Sequence, residues 1–274
     1  MNRRQFLTVA GTATSSMLVP WNAPGAAAAG ESRPNIIVIL ADDLGYGDVG
    51  CYGQTRLQTP NLDRMAAQGM RFTQHYSGST VCAPSRACLM LGLHTGHLQT
   101  PGQGQSLGAQ DTTVAELLRR SGYATACIGK WGLGQEGSPG IPTQTGFETF
   151  YGYLDQTHAH NYYPEFLWRG TQKVPLRNRV LRPERLRERG LGGAATERID
   201  YSHDLFTAEA LSFVRQPRQQ PFFLYLAYTI PHANNEAGIA KRHGMEVPDE
   251  GVYANEDWPA PQRAHAAMIS RLDR

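Results

Sequence analysis

The sequence predicts an α/β domain built on a largely parallel sheet, and three observations carry that prediction. Helical and strand-like stretches alternate along the chain. The main strand candidates are continuous apolar runs, as strands covered on both faces require. Reactive side chains stand just beyond the C-terminal ends of those runs, where ligands gather in open parallel sheets. Asp42, Asp43, Lys130 and His232 all fall there.

The elements follow in order. Ile36 to Leu40 is a β-branched and leucine run, expected to be buried on both faces; it ends at Asp42-Asp43, and Gly45 and Gly47 allow a tight loop. TPNLDRMAAQG reads as a helix. Thr59 can cap it, Pro60 takes the first position, Leu62, Met65 and Ala66 share a face, and Gly69 stops it. MRFTQHYS alternates and predicts a strand over 70–77. APSRACLMLG opens a helix whose N-terminus lies by Cys82. DTTVAELLRRSG is a further helix, with Asp111 in front, Val114, Leu117 and Leu118 inside and Gly122 behind. YATACIGKWG is a strand leaving Lys130 at its end, HDLFTAEALSFVRQ a helix, and PFFLYLAYTIPH a buried strand delivering His232. Residues 177–198 are rich in arginine with interspersed glutamate and read as a solvated loop or exposed helix. The sharper alternative is a basic rim that attracts polyanionic substrate.

Composition narrows the function classes. The chain has 274 residues and a net charge of +2, from 26 basic and 24 acidic residues. That balance argues against a dedicated nucleic-acid binder, which carries a basic surplus. Residues 1–30 hold Arg3-Arg4, a short apolar run from Phe6-Leu7 and an alanine-rich end near Ala28. The order resembles a twin-arginine export signal. The run is too short and too rich in Thr, Ser and Gly to span a membrane. The expectation is an exported protein, periplasmic or extracellular, handed to the twin-arginine translocase, with no membrane span in the mature chain. The four cysteines, Cys51, Cys82, Cys88 and Cys127, show no CxxC pair, which speaks against zinc.

Two features carry chemistry. Asp42-Asp43 is a pair of hard-oxygen donors, and adjacent carboxylates repel unless they share a cation or a proton. Such donors suit Ca²⁺ or Mg²⁺, although one turn aspartate beside one solvated aspartate also fits. Cys82 precedes a proline at a helix start, which favours negative charge. Arg86 lies one turn on and shares its face. These residues alone leave open a packed thiol or a nucleophile served by His94 or His97.

The stretch CAPSRACLMLG resembles the sulfatase signature, Cys-x-Pro-Ser-Arg. PNIIVILADDLGYGDVGCYG, TPNLDRMAAQGMRFTQHYS, AELLRRSGYATACIGKWGLG, GYLDQTHAHNYYPEFLW and YTIPHA occur in that family's order. The resemblance runs from Arg33 to the C-terminus and implies an arylsulfatase-type sulfuric-ester hydrolase. The implied fold is the alkaline-phosphatase-like α/β/α sandwich, with residues 33–274 forming the N-terminal part of the catalytic domain. It implies that a formylglycine-generating enzyme converts Cys82 to an aldehyde, whose hydrate takes the sulfate with one hydroxyl and expels it with the other. It further implies that Asp42, Asp43 and modified Cys82 hold a divalent cation, Ca²⁺ or alternatively Mg²⁺. Arg86 would hold the hydrate, Lys130 would bridge it to the sulfate, and His232 would lie near the leaving oxygen. His158 and His160 are candidates for lining the pocket of a sulfated small molecule or glycan.

Two departures stand out. Many members read Gly-Lys-Trp-His-Leu-Gly where this chain has GKWGLG, so Gly132 replaces a histidine. His94, His97 and His158 are the candidates to compensate. The chain also ends at AAMISRLDR, before the Asp-Asn-Gly strand, second lysine and C-terminal subdomain of the family. The expectation is a C-terminally truncated domain with weak cation binding and impaired turnover. The alternatives are a phosphonate or phosphodiester hydrolase of the same fold, a non-catalytic sulfated-glycan binder and, more distantly, a cysteine hydrolase.

Overall fold

The computed structural model describes residues 33–98 and 106–274. The predicted export signal at 1–30 lies outside the described residues. In chain order the elements are β1 (Ile36–Asp42), α1 (Pro60–Gln68), α2 (Cys82–Leu91), α3 (Val114–Arg120), β2 (Ala124–Lys130), β3 (Thr149–Tyr153) and β4 (Phe166–Arg169). They continue as β5 (Gln172–Pro175), β6 (Arg179–Leu181), α4 (Glu184–Arg187), β7 (Ala194–Glu197), α5 (Ser202–Arg215), β8 (Phe222–Pro231) and α6 (Ala260–Leu272). The main sheet has the order β1-β8-β2-β3-β4-β5, and β6 pairs with β7 in a separate hairpin. The strands from β1 to β3 run parallel, whereas β4 and β5 are antiparallel additions.

The period of two along the central strands builds two cores, one on each face. Phe222, Leu224, Leu226, Tyr228 and Ile230 of β8 join Ala124, Ala126 and Ile128 of β2 under Phe206, Ala210 and Phe213 of α5 and Met268 of α6. Phe223, Tyr225 and Ala227 face the other way with Cys127, beneath Ala87, Cys88 and Met90 of α2 and Ala115 of α3. All ten residues of β8 and all seven of β2 are buried, as expected for strands covered on both faces. This is the predicted α/β/α layering.

Gly129 lets the strands close up just before Lys130. Its φ of +107° suits only glycine, and a Cβ there would overlap the Ala227 carbonyl of β8.

Five expectations need correction. β1 is covered on one face only, with Ile37 and Ile39 48% and 54% exposed on the other, and among the described residues it stands at the sheet edge. A continuous apolar run does not encode whether a strand has one neighbour or two. Residues 70–77 form no strand, and Met70, Phe72 and Tyr76 lie exposed with no partner strand among the described residues. α3 is capped by Thr113, whose Oγ1 accepts from the Glu116 N–H at 3.1 Å, and not by Asp111. Leu117, expected inside, is exposed and Ala115 is buried in its stead. Residues 177–198, read as a solvated loop or exposed helix, hold the short helix α4 but also the strands β6 and β7, and their arginines pair with acids: Arg177 with Asp200, Arg179 with Glu197, Arg182 with Glu165 and Arg189 with Asp155.

Candidate active site

The strand ends bring the predicted residues together. Asp42 closes β1, Lys130 closes β2, and His232 follows β8, the strand between them. Lys130 Nζ donates to Asp42 Oδ2 at 2.6 Å, with both side chains buried. Arg86, from the opposite layer, brings Nη2 to 3.4 Å from Asp42 Oδ1. Its Nη1 donates to the Lys130 carbonyl at 2.6 Å and to the Tyr225 hydroxyl at 3.5 Å. One carboxylate thus meets two cations. Burial pushes the Asp42 carboxyl up, but Lys130 and Arg86 outweigh it and hold it below its ordinary value. Arg86 Nε is buried and makes no hydrogen bond among the described residues, so the guanidinium retains donor capacity.

Asp43 is exposed beside this buried cluster. Its φ of +62° places it in the left-handed region, which aspartate tolerates better than most residues and which often marks functional sites. The exposed Asp43 carboxylate lies 3.5 Å from His232 Nε2. His232 Nδ1 donates to the Ala233 carbonyl at 2.6 Å, which fixes its tautomer and leaves Nε2 free when the ring is neutral. Tyr162 steadies this turn by donating to the Thr229 and His232 carbonyls at 3.1 and 2.5 Å. Burial, then the Lys130 charge, lower the His232 pKa, outweighing the Asp42 carboxylate.

Cys82 is the first residue of α2, and Val81 before it offers no side-chain cap. The helix start therefore has no side-chain cap, and a helix N-terminus is a setting that favours anions. Cys82, Ser85 and Arg86 line one cavity of about 200 Å³ with Asp42, Asp43, Ser77, Ser79 and Thr80. All four cysteines are free. Cys127 is buried and burial pushes its thiol up, which leaves it inert. A larger groove of about 680 Å³, beside Arg56 and Trp258, contains none of the predicted residues.

Asp42, Asp43 and residue 82 border the same cavity, and two carboxylates suit a hard cation. The fit is one-sided. Asp42 already answers two cations, and among the described residues no group of three or more His, Cys, Asp or Glu is gathered for a metal.

The histidines separate. His160 stacks on His232 and belongs to the site. His158 does not: it is 1% exposed, packed against Tyr153 and Phe166, with both ring nitrogens unpartnered. Burial lowers its pKa to about 3. His94 and His97 stand on the turn after α2 and do not line the cavity. A side chain at Gly132 would run into Gln156, whose Nε2 donates to the Gly132 carbonyl at 3.1 Å. Tyr225, Gln156 and Glu236 escape a sequence reading. Tyr225 hides in a strand run, and the other two meet partners 24 and 76 residues away. The acid four residues after His232 is the one available hint.

The helix start at Cys82 thus stands beside a buried carboxylate–lysine–arginine cluster on an alkaline-phosphatase-like fold. The chain matches the Sulfatase family model over residues 34–267 and belongs to the sulfatase family. It is 36% identical to human arylsulfatase A over 233 residues, covering 77% of this chain and 44% of that protein. It is 33% identical to mouse N-acetylgalactosamine-6-sulfatase over 239 residues, covering 81% and 44%. Among solved structures, that of Ps i-CgsB superposes with a TM-score of 0.69 at 28% identity, covering 89% of this chain and 53% of that one. The chain thus spans about half the length of the relatives it matches.

Proposed function

We propose that the chain supplies the nucleophile and anion-binding half of a sulfate-ester hydrolase site. The observation that supports this best is the shared cavity of Cys82, Arg86, Asp42 and Asp43 over the buried Asp42–Lys130 pair. Formylglycine made from Cys82 would, once hydrated by water, supply two hydroxyls on one carbon, one to accept the sulfuryl group and one to release it as the aldehyde re-forms. Arg86, with an unused buried donor, binds and orients the anion at the helix start. Lys130 holds Asp42 in place and keeps positive charge beneath the sulfate. His232 presents Nε2 towards the leaving oxygen and exchanges a proton there. Asp42 and Asp43, with the residue made from Cys82, would hold one side of a divalent cation, Ca²⁺ or alternatively Mg²⁺, which supplies Lewis acidity when bound.

The substrate class is a sulfated small molecule or glycan. A phosphonate or phosphodiester substrate is less favoured, because the relatives above 30% identity are sulfatases. Among the described residues no helix is long and apolar enough to cross a membrane. Export through the twin-arginine translocase, after modification by a formylglycine-generating enzyme in the cytoplasm, completes the proposal.

The test is turnover of an aryl sulfate ester and a matched phosphodiester by the chain from its native host, beside Cys82→Ala. Sulfate hydrolysis abolished by Cys82→Ala is expected. A Cys82→Ala variant as active as the parent, or a preference for the phosphodiester, overturns the reading.

A further inference from the structure

The hydrolase reading gives His232 a task but does not say what holds its ring at the required angle. The bond from His232 Nδ1 to Ala233 O reaches only the next residue. Such a bond fixes the tautomer, whereas the plane of the ring is set by what packs against it. The packing partner is His160. The two rings lie parallel within 11°, with centroids 4.9 Å apart.

His160 is itself fixed. Its Nδ1 donates to Glu236 Oε2 at 3.2 Å. The Glu236 side chain is 4% exposed, and its N–H is bound by Asn234 Oδ1 at 3.0 Å. Asn234 is anchored in turn, donating to the Gly193 carbonyl and to Glu246 Oε2, both at 3.0 Å. Arg185 of α4 brings Nη2 to 3.7 Å from the other Glu236 oxygen, so the buried carboxylate does not stand alone. A carboxylate orienting a histidine is a recurrent device for setting ring plane and tautomer. Here the carboxylate acts on the neighbour of the working histidine.

We propose that His160, oriented by Glu236, is the positioning residue that fixes the ring plane of His232. This rests on the sulfate-ester hydrolase reading for its catalytic consequence, although the positioning itself does not. It differs from a pocket-lining role for His160. A substrate contact affects KM, whereas a positioning contact affects kcat and the state of His232 itself.

The experiment compares the full chain with His160→Ala, His160→Phe and Glu236→Gln. It uses steady-state kinetics on a sulfate ester and imidazole ¹⁵N NMR at mildly alkaline pH. Glu236→Gln and His160→Phe conserve shape and guard against misfolding of His160→Ala. The expected result is a kcat lowered about tenfold or more in His160→Ala with KM within about twofold, and a smaller loss in the other two. In the spectra, the His232 ring signals of His160→Ala and Glu236→Gln shift and broaden, because a ring no longer held in one plane loosens the Nδ1–Ala233 O bond and so mixes the tautomers that bond keeps apart. A raised KM with unchanged kcat, or unmoved His232 signals in both variants, overturns the proposal. If the parent chain turns over no sulfate ester, the hydrolase reading fails, and the NMR result still decides the positioning.

Discussion

Lys130 Nζ sits 2.6 Å from Asp42 Oδ2, and this buried pair joins the ends of β1 and β2 across the intervening β8. Neither charge has solvent to fall back on. Removing the lysine leaves Asp42 to Arg86 alone, at the longer distance of 3.4 Å. Lys130→Met is therefore expected to cost about 3–5 kcal/mol in urea unfolding. Adding Asp42→Asn should not restore that loss, because Arg86 is then left buried without a carboxylate. A Lys130→Met single variant as stable as the parent would contradict the account.

Stability should fall in mild acid because of two buried histidines. Burial lowers His158 to about 3 and His203 to about 4, from an ordinary value of 6.5. Between those limits the unfolded chain binds more protons than the folded one, so stability is full above about 6.5 and declines below it. The decline from pH 7 to pH 5 is roughly 2 kcal/mol for each histidine. Asp42, held below its ordinary 3.8, adds a loss at still lower pH. His158→Phe, set between Tyr153 and Phe166, should flatten the pH 5–7 slope by about half, read from denaturation midpoints.

Asp273 ties the last helix to the first. Its carboxylate accepts from the Leu62 and Asn61 N–H groups at 2.7 and 2.9 Å, capping α1 from 212 residues away. Thr59, which stands at the cap position, spends its hydroxyl on Gly50 and Asp63. Asp273→Ala should cost about 1 kcal/mol in thermal unfolding, and Asp273→Asn less.

Restoring a histidine at position 132 should not be simple. Gly132 has a φ of +74°, and a Cβ there would overlap the Gln156 side chain. Gly132→His is expected to destabilise by about 1–2 kcal/mol from backbone strain alone, with the clash in addition. Gly132→His combined with Gln156→Gly should recover the clash but not the strain. Melting temperatures of the two variants measure the difference.

What the sequence reveals and what it hides follow from the range of the interactions involved. Apolar runs ending in reactive residues made β2 and β8 legible, because burial on both faces is written into each strand by itself. The position of β1 at the edge is not, since strand order is a property of partners. Asp42, Lys130 and Arg86 were recognisable by type and placement. Their convergence on one carboxylate depends on the register that sets Val38 and Cys127 against Tyr225. His158 and His160, two residues apart, look alike in sequence. A single-turn 3-10 segment sends one into the core and the other against His232. The strand expected over 70–77 had the right alternation but finds no partner among the described residues.

The central claim is that Cys82 is the precursor of the nucleophile. The most direct measurement is the mass of the peptide containing residue 82, from chain produced in its native host and digested without prior alkylation. The account predicts the mass of the aldehyde or its hydrate at residue 82, with Cys51, Cys88 and Cys127 remaining thiols. An unmodified thiol at Cys82 in protein that hydrolyses sulfate esters would contradict it.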